Sequence, residues 1–285
     1  MTQRIDAHHH FWGYNPEEYG WISDDLCLLR RDFLPAELRT QIQMATIDGV
    51  VSVQARQSLQ ETGWLLALTE KYSFLSGVVG WLPIAADDFL AHLTRFASHP
   101  KLKGLRHVIQ DEPDDNYMLR ADFNRGIAAL QGTSLVYDIL VFAKHLPQAI
   151  QFVDLHPNQI FILDHMAKPQ IRLGVLDPWR KHIRELAKRE NVYCKISGMV
   201  TEANWQTWSQ PDLQPYFDVV LNAFEANRLM VGSDWPVCLL ASGYARWFET
   251  VHSLISKLSR SEQQQILGET AREVYHLEDP PRQQG

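Results

Sequence analysis

The chain of 285 residues is long enough for two average domains or for one large α/β barrel. Its 27 basic and 34 acidic residues leave a formal net charge of −7, which argues against a general nucleic-acid or membrane-surface binder. At 45% hydrophobic and 21% charged the composition is that of a folded globular chain, and no apolar run approaches the ~18 residues of a membrane span. The opening, MTQRIDAHHH, shows no charged-then-apolar leader, and Cys27, Cys194 and Cys238 lie far apart without metal or redox spacing. Both features lead us to expect a cytoplasmic protein with reduced thiols. Histidine is the unusual component: there are 12, and His8, His9 and His10 are consecutive.

Short apolar, β-branched segments recur along the chain. The first, Arg4–Phe11, carries the histidine triplet and is followed by a long loop, Gly13–Leu34, with Tyr14, Tyr19, Trp21, Arg30 and Arg31. Loops of this length often act as lids, although an ordered surface loop reads equally well. Gly49–Gln54 is the second strand, and Ser58-x-x-Glu61 reads as a capping box before a helix whose Trp64, Leu65 and Leu68 share a face. The third strand, Ser76–Leu82, precedes a helix marked by Phe89, Leu90, Leu93 and Phe96. Further strands are expected at Gly104–Val108, Leu135–Val141 and Ile160–Asp164. Asp177-Pro178 reads as an N-cap with proline at the first helical position, leading into Ile183, Leu186 and Ala187. Val192–Ile196 is the seventh strand. The long gap before the eighth, Leu229–Ser233, holds Trp205, Trp208 and Tyr216, and Pro211 and Pro215 should split it into more than one helix. Ser261-x-x-Gln264 opens a last helix with Ile266, Leu267 and Val274, and the polar tail from Asp279 to Gly285 should fray. Strand starts recur about every 32 residues, the size of a βα unit. Eight such units predict one distorted (β/α)8 TIM barrel over residues 1–285, with its active site at the C-terminal ends of the strands.

Those strand ends carry groups that an ordinary core would exclude. Side chains alternate along a strand, so His8 and His10 should share a face with Asp6, which would support them as a hydrogen-bond acceptor, while His9 points the other way. The sixth strand ends in Asp164-His165, which also reads as a plain ion pair, and leads to Lys168, a further candidate for substrate binding. The eighth ends in Asp234, which also reads as a turn or capping aspartate. Together His8, His10, His165 and Asp234 suit at most one divalent ion, zinc first, with Asp234 also able to take a proton from water. The same imidazoles could instead polarise a carbonyl with no metal at all. Arg106 suits a carbonyl or carboxylate oxygen, although a salt bridge to Asp111 or Glu112 would satisfy it too. Arg56 follows the second strand, and Lys195 and Ser197 lie on the seventh. Trp12, Trp81 and Trp235 are candidates for an apolar pocket wall or for ordinary packing.

Taken in order, Asp6-x-His8-x-His10-Phe11-Trp12, Leu105-Arg106-His107-x-x-Gln110-Asp111, Leu163-Asp164-His165-x-x-Lys168-Pro169 and Gly232-Ser233-Asp234-Trp235-Pro236 resemble the lactonase branch of the amidohydrolase superfamily, of the amidohydrolase-2 type. Gly268-x-Thr270-Ala271-x-x-x-Tyr275 resembles that family's closing helix, so the likeness runs from about residue 4 to residue 276. It implies a TIM barrel and hydrolysis of an ester-type ring. Members open sugar-acid lactones such as L-fuconolactone and L-rhamnonolactone in sugar catabolism, and a more distant one opens a pyrone dicarboxylate. Carried over, the resemblance implies Asp234 as general base, His8, His10 and His165 as holders of a metal or polarisers of the carbonyl, and Arg106 and His107 as contacts to substrate oxygen. The fifth strand ends without histidine, His145 following only later, and the fourth offers no bridging lysine; the pattern therefore departs from two-metal members.

The leading expectation is therefore a lactonase acting on a small sugar lactone, with Asp234 and His165 at the chemistry. A sister branch implies a zinc-dependent decarboxylase instead, for which Arg56, Arg106 and Lys168 could hold the acid. A sugar-binding barrel without turnover is the third reading. The negative charge and the few basic groups favour a neutral sugar lactone over a dicarboxylate. No nucleic-acid or membrane partner is expected, and the chain is compatible with a homo-oligomer.

Overall fold

The computed structural model describes residues 3–278; the tail expected to fray, from Asp279 to Gly285, lies outside them. Eight parallel strands pair in chain order: β1 (Ile5–His9), β2 (Gly49–Val53), β3 (Leu75–Gly80), β4 (Leu102–His107), β5 (Val136–Ile139), β6 (Phe161–Leu163), β7 (Val192–Ile196) and β8 (Leu229–Val231). The ring closes where β1 meets the segment after β8: His9 pairs with Trp235, and the His10 amide donates to the Trp235 carbonyl at 2.7 Å. This is the expected (β/α)8 barrel. Its main helices are α1 (Pro35–Ala45), α2 (Leu59–Lys71), α3 (Phe89–Ala97), α4 (Ala121–Leu130), α5 (Leu146–Asp154), α6 (Trp179–Leu186), α7 (Met199–Glu202), α8 (Gln210–Phe224), α9 (Tyr244–Leu254), α10 (Arg260–Gln264) and α11 (Thr270–Val274). No helix among the described residues is long and apolar enough to cross a membrane.

Both strand faces are buried, so the strands read as apolar runs rather than as alternating ones. Ala7, Val51, Val53, Val79, Ile162 and Met230 fill the lumen, and Val274 and Tyr275 at the end of α11 seal it. Val50, Val78, Leu105 and Tyr137 face outward and pack under the helices. Each large side chain fully removed from water there contributes roughly 1.5–3 kcal/mol. On α3 the stripe is narrower than its sequence implies: Phe89, Leu93 and Phe96 are buried, whereas Leu90 is 62% exposed.

Several helix ends depart from their sequence signatures because a side chain finds another partner. Ser58 caps α2 by accepting from the Gln60 and Glu61 amides, but Glu61 does not close a box; its Oε2 accepts from the Ala55 and Arg56 amides, each at 3.1 Å. Asp177 does not cap α6, which starts at Trp179 after Pro178; Asp177 pairs with Arg180 instead. Ser259 rather than Ser261 caps α10, with Glu262 closing the box, and a wide turn over Gln265–Glu269 leads into α11. Pro211 lies in the first turn of α8, and Pro215 sits inside that helix instead of splitting it.

Candidate active site

The histidine strand reaches the site through an irregularity. Asp6 pairs with Val50 but His9 pairs with Ser52, so β1 carries one extra residue between them. Such a bulge reverses the alternation beyond it. Ala7 points into the lumen, and His8 and His10 then turn inward while His9 faces out and contacts Ser52 Oγ at 2.9 Å. The expectation that Asp6 shares a face with His8 and His10 is corrected here. Asp6 faces the helix layer and accepts from the Tyr244 hydroxyl, from Ser233 Oγ and N, and from the His8 amide. It fastens β1 to the turn after β8, and its burial raises its carboxyl to about 6. Asp234 stands in that turn at φ 58°, and its amide donates to the His8 carbonyl at 2.8 Å.

After β6 the chain turns sharply. His165, Met166, Ala167 and Lys168 all have φ between 49° and 59°. Left-handed backbone costs an L-residue roughly 1–2 kcal/mol, so four in succession mark a segment held by its surroundings. The His165 ring is held by Ser197 Oγ, 2.8 Å from Nδ1, and by Gly198, where a Cβ would lie 2.8 Å from that same nitrogen.

The proton of His10 can be placed by chemistry. His10 Nδ1 lies 2.8 Å from the Val53 carbonyl, which only accepts, so Nδ1 carries the proton and Nε2 presents a lone pair. Arg106, which only donates, approaches His8 Nε2 at 3.3 Å, while Lys195, also only a donor, approaches His8 Nδ1 at 3.2 Å beside Asp164 Oδ1 at 3.3 Å; the His8 ring thus meets a donor at each nitrogen and its contacts do not fix its proton. His10 Nε2 therefore meets Asp234 Oδ1 acceptor to acceptor at 3.4 Å, and His8 Nε2 lies 3.2 Å from His10 Nε2 and 3.8 Å from Asp234 Oδ1. His165 Nε2 lies 3.9 Å from the same oxygen. Such a cluster needs a cation. Burial holds His8 well below its ordinary value and His165 down to about 4, so neither imidazole supplies one near neutrality. His8, His10 and Asp234 bring their ligand atoms close enough to hold a single divalent ion of the zinc type, and His165 Nε2 stands 3.9 Å from the same carboxylate oxygen. The overlapping group His8, Asp164 and His165 has no such deficit, because Arg106 and Lys195 already compensate Asp164.

Beneath this cluster lies a buried charge network. Lys195, fully buried, contacts Asp138 Oδ2 at 2.5 Å and Asp164 Oδ1 at 3.0 Å. Arg106 Nη1 donates to Asp164 Oδ2 at 2.9 Å, and its Nη2 donates to the Gln54 carbonyl. The Tyr275 hydroxyl donates to Asp138. Burial raises Asp138 to about 6, whereas Lys195, His8 and Arg106 overcome burial at Asp164 and hold it well below the usual carboxylate range. Burial likewise opposes ionisation of Asp234, but the charge that His165 carries in the acid range outweighs it and leaves the carboxyl below its ordinary value.

A cavity of about 790 Å³ opens above the cluster, the size of a small-molecule site. His10, His165, Asp234, Arg106 and Lys168 line it, as do Arg56, Gln110, Glu112, Glu202 and Trp205. The long loop after β1 contributes Glu18, Gly20, Trp21 and Leu26 to its rim. His107, Trp12 and Trp81 lie outside this lining. Trp12 is fully buried against Phe33 and Tyr19, and Trp235 packs on Phe11 and Phe33. Trp81 and His107 bond to each other instead. Arg106 pairs with Asp164, not with Asp111 or Glu112. Arg56 is held by Glu18 at 2.5 Å. The partnership of Asp138, Lys195 and Tyr275 escapes sequence reasoning; its one visible signal is a charged residue inside each of two otherwise apolar strands.

Residues 5–277 match the family model described as Amidohydrolase. The chain is 38% identical to an L-fucono-1,5-lactonase of Burkholderia multivorans over 97% of each sequence. It is 33% identical to an L-fucono-1,5-lactonase of Burkholderia ambifaria over 98% of each. A crystal structure of an amidohydrolase from Burkholderia multivorans with bound zinc superposes with a TM-score of 0.93 at 38% identity, covering 97% of this chain and 100% of that one.

Proposed function

The chain belongs to the amidohydrolase family, and from that premise we propose that it opens the ring of a neutral sugar-acid lactone by hydrolysis. The observation that carries this reading is the convergence of His10, His165 and Asp234 on the cavity lining with His8 buried beside them. The L-fucono-1,5-lactonase relatives at 38% and 33% identity support a sugar lactone as substrate. So does the charge of the wall. Of the cavity's cations Arg56 is paired with Glu18 and Arg106 with Asp164, leaving Lys168 as the one without a carboxylate in salt-bridge contact among the described residues. Glu112, Asp111 and Glu202 stand on the same wall. A dicarboxylate would face repulsion there, whereas ring hydroxyls find acceptors.

Asp234, ionised near neutrality, accepts the proton of the attacking water as the water adds to the ring carbonyl. Arg106 and His165 border the space in which the oxyanion forms. The ring oxygen then leaves with a proton, returned by Asp234, and the product is an open hydroxy acid. His8, His10, His165 and Asp234 would hold the divalent ion that this donor set fits, and such an ion supplies Lewis acidity toward the carbonyl and the water. Activity without metal would leave carbonyl polarisation to Arg106 and the imidazoles.

A pH-indicator screen over a panel of lactones, with and without chelator, tests the reading. Acid release from at least one hydroxylated sugar lactone is expected. Absence of acid from every lactone, or carbon dioxide release from an aromatic acid, would overturn it. Loss of activity with chelator and its return with zinc would assign the metal.

A further inference from the structure

Three side chains beside the cavity form a chain of contacts that the reaction as derived does not use. The Trp81 indole donates to His107 Nδ1 at 3.2 Å, and His107 Nε2 lies 2.6 Å from Glu112 Oε1. An indole N–H can only donate. His107 Nδ1 must therefore be the acceptor, Nε2 must carry the proton, and that proton goes to Glu112. The ring has no freedom to do otherwise. It is 6% exposed, stacked on Tyr117 with centroids 4.9 Å apart and planes 11° apart, and closed edge-on by Phe123. Trp81 is anchored in turn, since its amide donates to Thr62 Oγ1 at 2.9 Å and its carbonyl accepts from the same hydroxyl at 2.8 Å.

The outcome of this chain is the position of Glu112. Its side chain lines the cavity and is partly exposed there, and Oε2 has no protein partner among the described residues. We propose that Trp81 and His107 are positioning residues that hold Glu112 as a specificity-determining acceptor for a ring hydroxyl of the substrate. The inference rests on the lactonase reading and refines it. With both ring nitrogens of His107 committed, that residue cannot contact substrate oxygen itself, as the sequence resemblance implied. A carboxylate oxygen accepts hydroxyl protons and offers none. Glu112 thus selects a hydroxylated neutral ring and repels one that bears a carboxylate.

The test compares L-fuconolactone with δ-valerolactone, a lactone without ring hydroxyls. In Glu112→Gln, KM for L-fuconolactone should rise about tenfold or more while kcat stays within about threefold, and both constants for δ-valerolactone should hold. His107→Leu should show the same pattern. His107→Gln, whose amide N–H reaches the position of Nε2, should recover most of the lost KM. Equal losses on both lactones, or an unchanged KM in Glu112→Gln, would overturn the proposal. Calorimetric titration with L-fucose separates this inference from the reading beneath it. Absence of all lactone turnover sinks the lactonase reading, whereas equal sugar binding by the parent protein and Glu112→Gln sinks the role of Glu112.

Discussion

Replacing Lys195 with methionine removes the one cation between two buried carboxylates. Lys195 is fully buried and contacts both Asp138 and Asp164, which are themselves fully buried. Methionine roughly fills the volume of the aliphatic stem, so the change is mainly one of charge. Breaking a buried ion pair from one side costs about 3–5 kcal/mol, because the remaining charge is left uncompensated. At ~2 °C per kcal/mol for a chain of this size, the melting temperature should fall by about 6–10 °C. The loss should depend on pH. Asp138 is already raised to about 6 with Lys195 in place, and without the lysine it must rise further. A carboxyl whose folded value lies above its unfolded one binds more protons when folded, so its contribution is present below the unfolded value and is lost as pH rises through the folded one. Lys195→Met should thus be nearest the parent protein at about pH 5 and furthest from it at about pH 8. Adding Asp138→Asn should return part of the stability at the higher pH. Urea unfolding at the two pH values, on all three proteins, reads these differences. A variant whose deficit is the same at both would show that Lys195 acts through packing and not through charge.

Asp234→Asn should keep the fold and lower kcat by about 10²–10⁴, the range for loss of a general base, as read by lactone turnover beside circular dichroism. Near-parental turnover would remove Asp234 from the proton-transfer role. Glu61, pushed up to about 7 by burial, takes up protons on folding between its unfolded value near 4.5 and 7. Stability should therefore fall as pH rises through that window and level off above it, by about 3 kcal/mol in all, and Glu61→Gln should flatten the slope in urea unfolding. Gly198→Ala would set a methyl 2.8 Å from His165 Nδ1 at φ 66°. It should cost about 1–2 kcal/mol in thermal unfolding and weaken zinc binding by calorimetry, since the displaced ring is one of the candidate ligands.

Much of the candidate site is legible in the sequence alone. The His8-x-His10 spacing, the histidine after β6 and the aspartate after β8 each broke an apolar pattern where a barrel places its chemistry, so local rules sufficed to find them. Other parts were not legible. Alternation put Asp6 with His8 and His10, and one inserted residue in β1 reversed that; a bulge leaves no signature in the hydrophobic pattern. Trp12 and Trp81 looked like pocket walls, but aromatic residues serve a core and a cavity equally well, and their composition does not say which. The capping box at Ser58 was half right, because Glu61 reaches back to the loop amides of Ala55 and Arg56 rather than to Ser58.

The sequence by itself determined the strand count, most of the helix faces and the candidate side chains at the strand ends, because these depend on periodicity and on residue chemistry close along the chain. Only the tertiary structure decided which groups pair. Lys195 with Asp138 and Asp164, Trp81 with His107, and Tyr275 with Asp138 pair across 26 to 137 residues of chain. Such contacts form because a closed barrel brings buried polar atoms from distant segments together, where each must find a partner or pay the cost of desolvation.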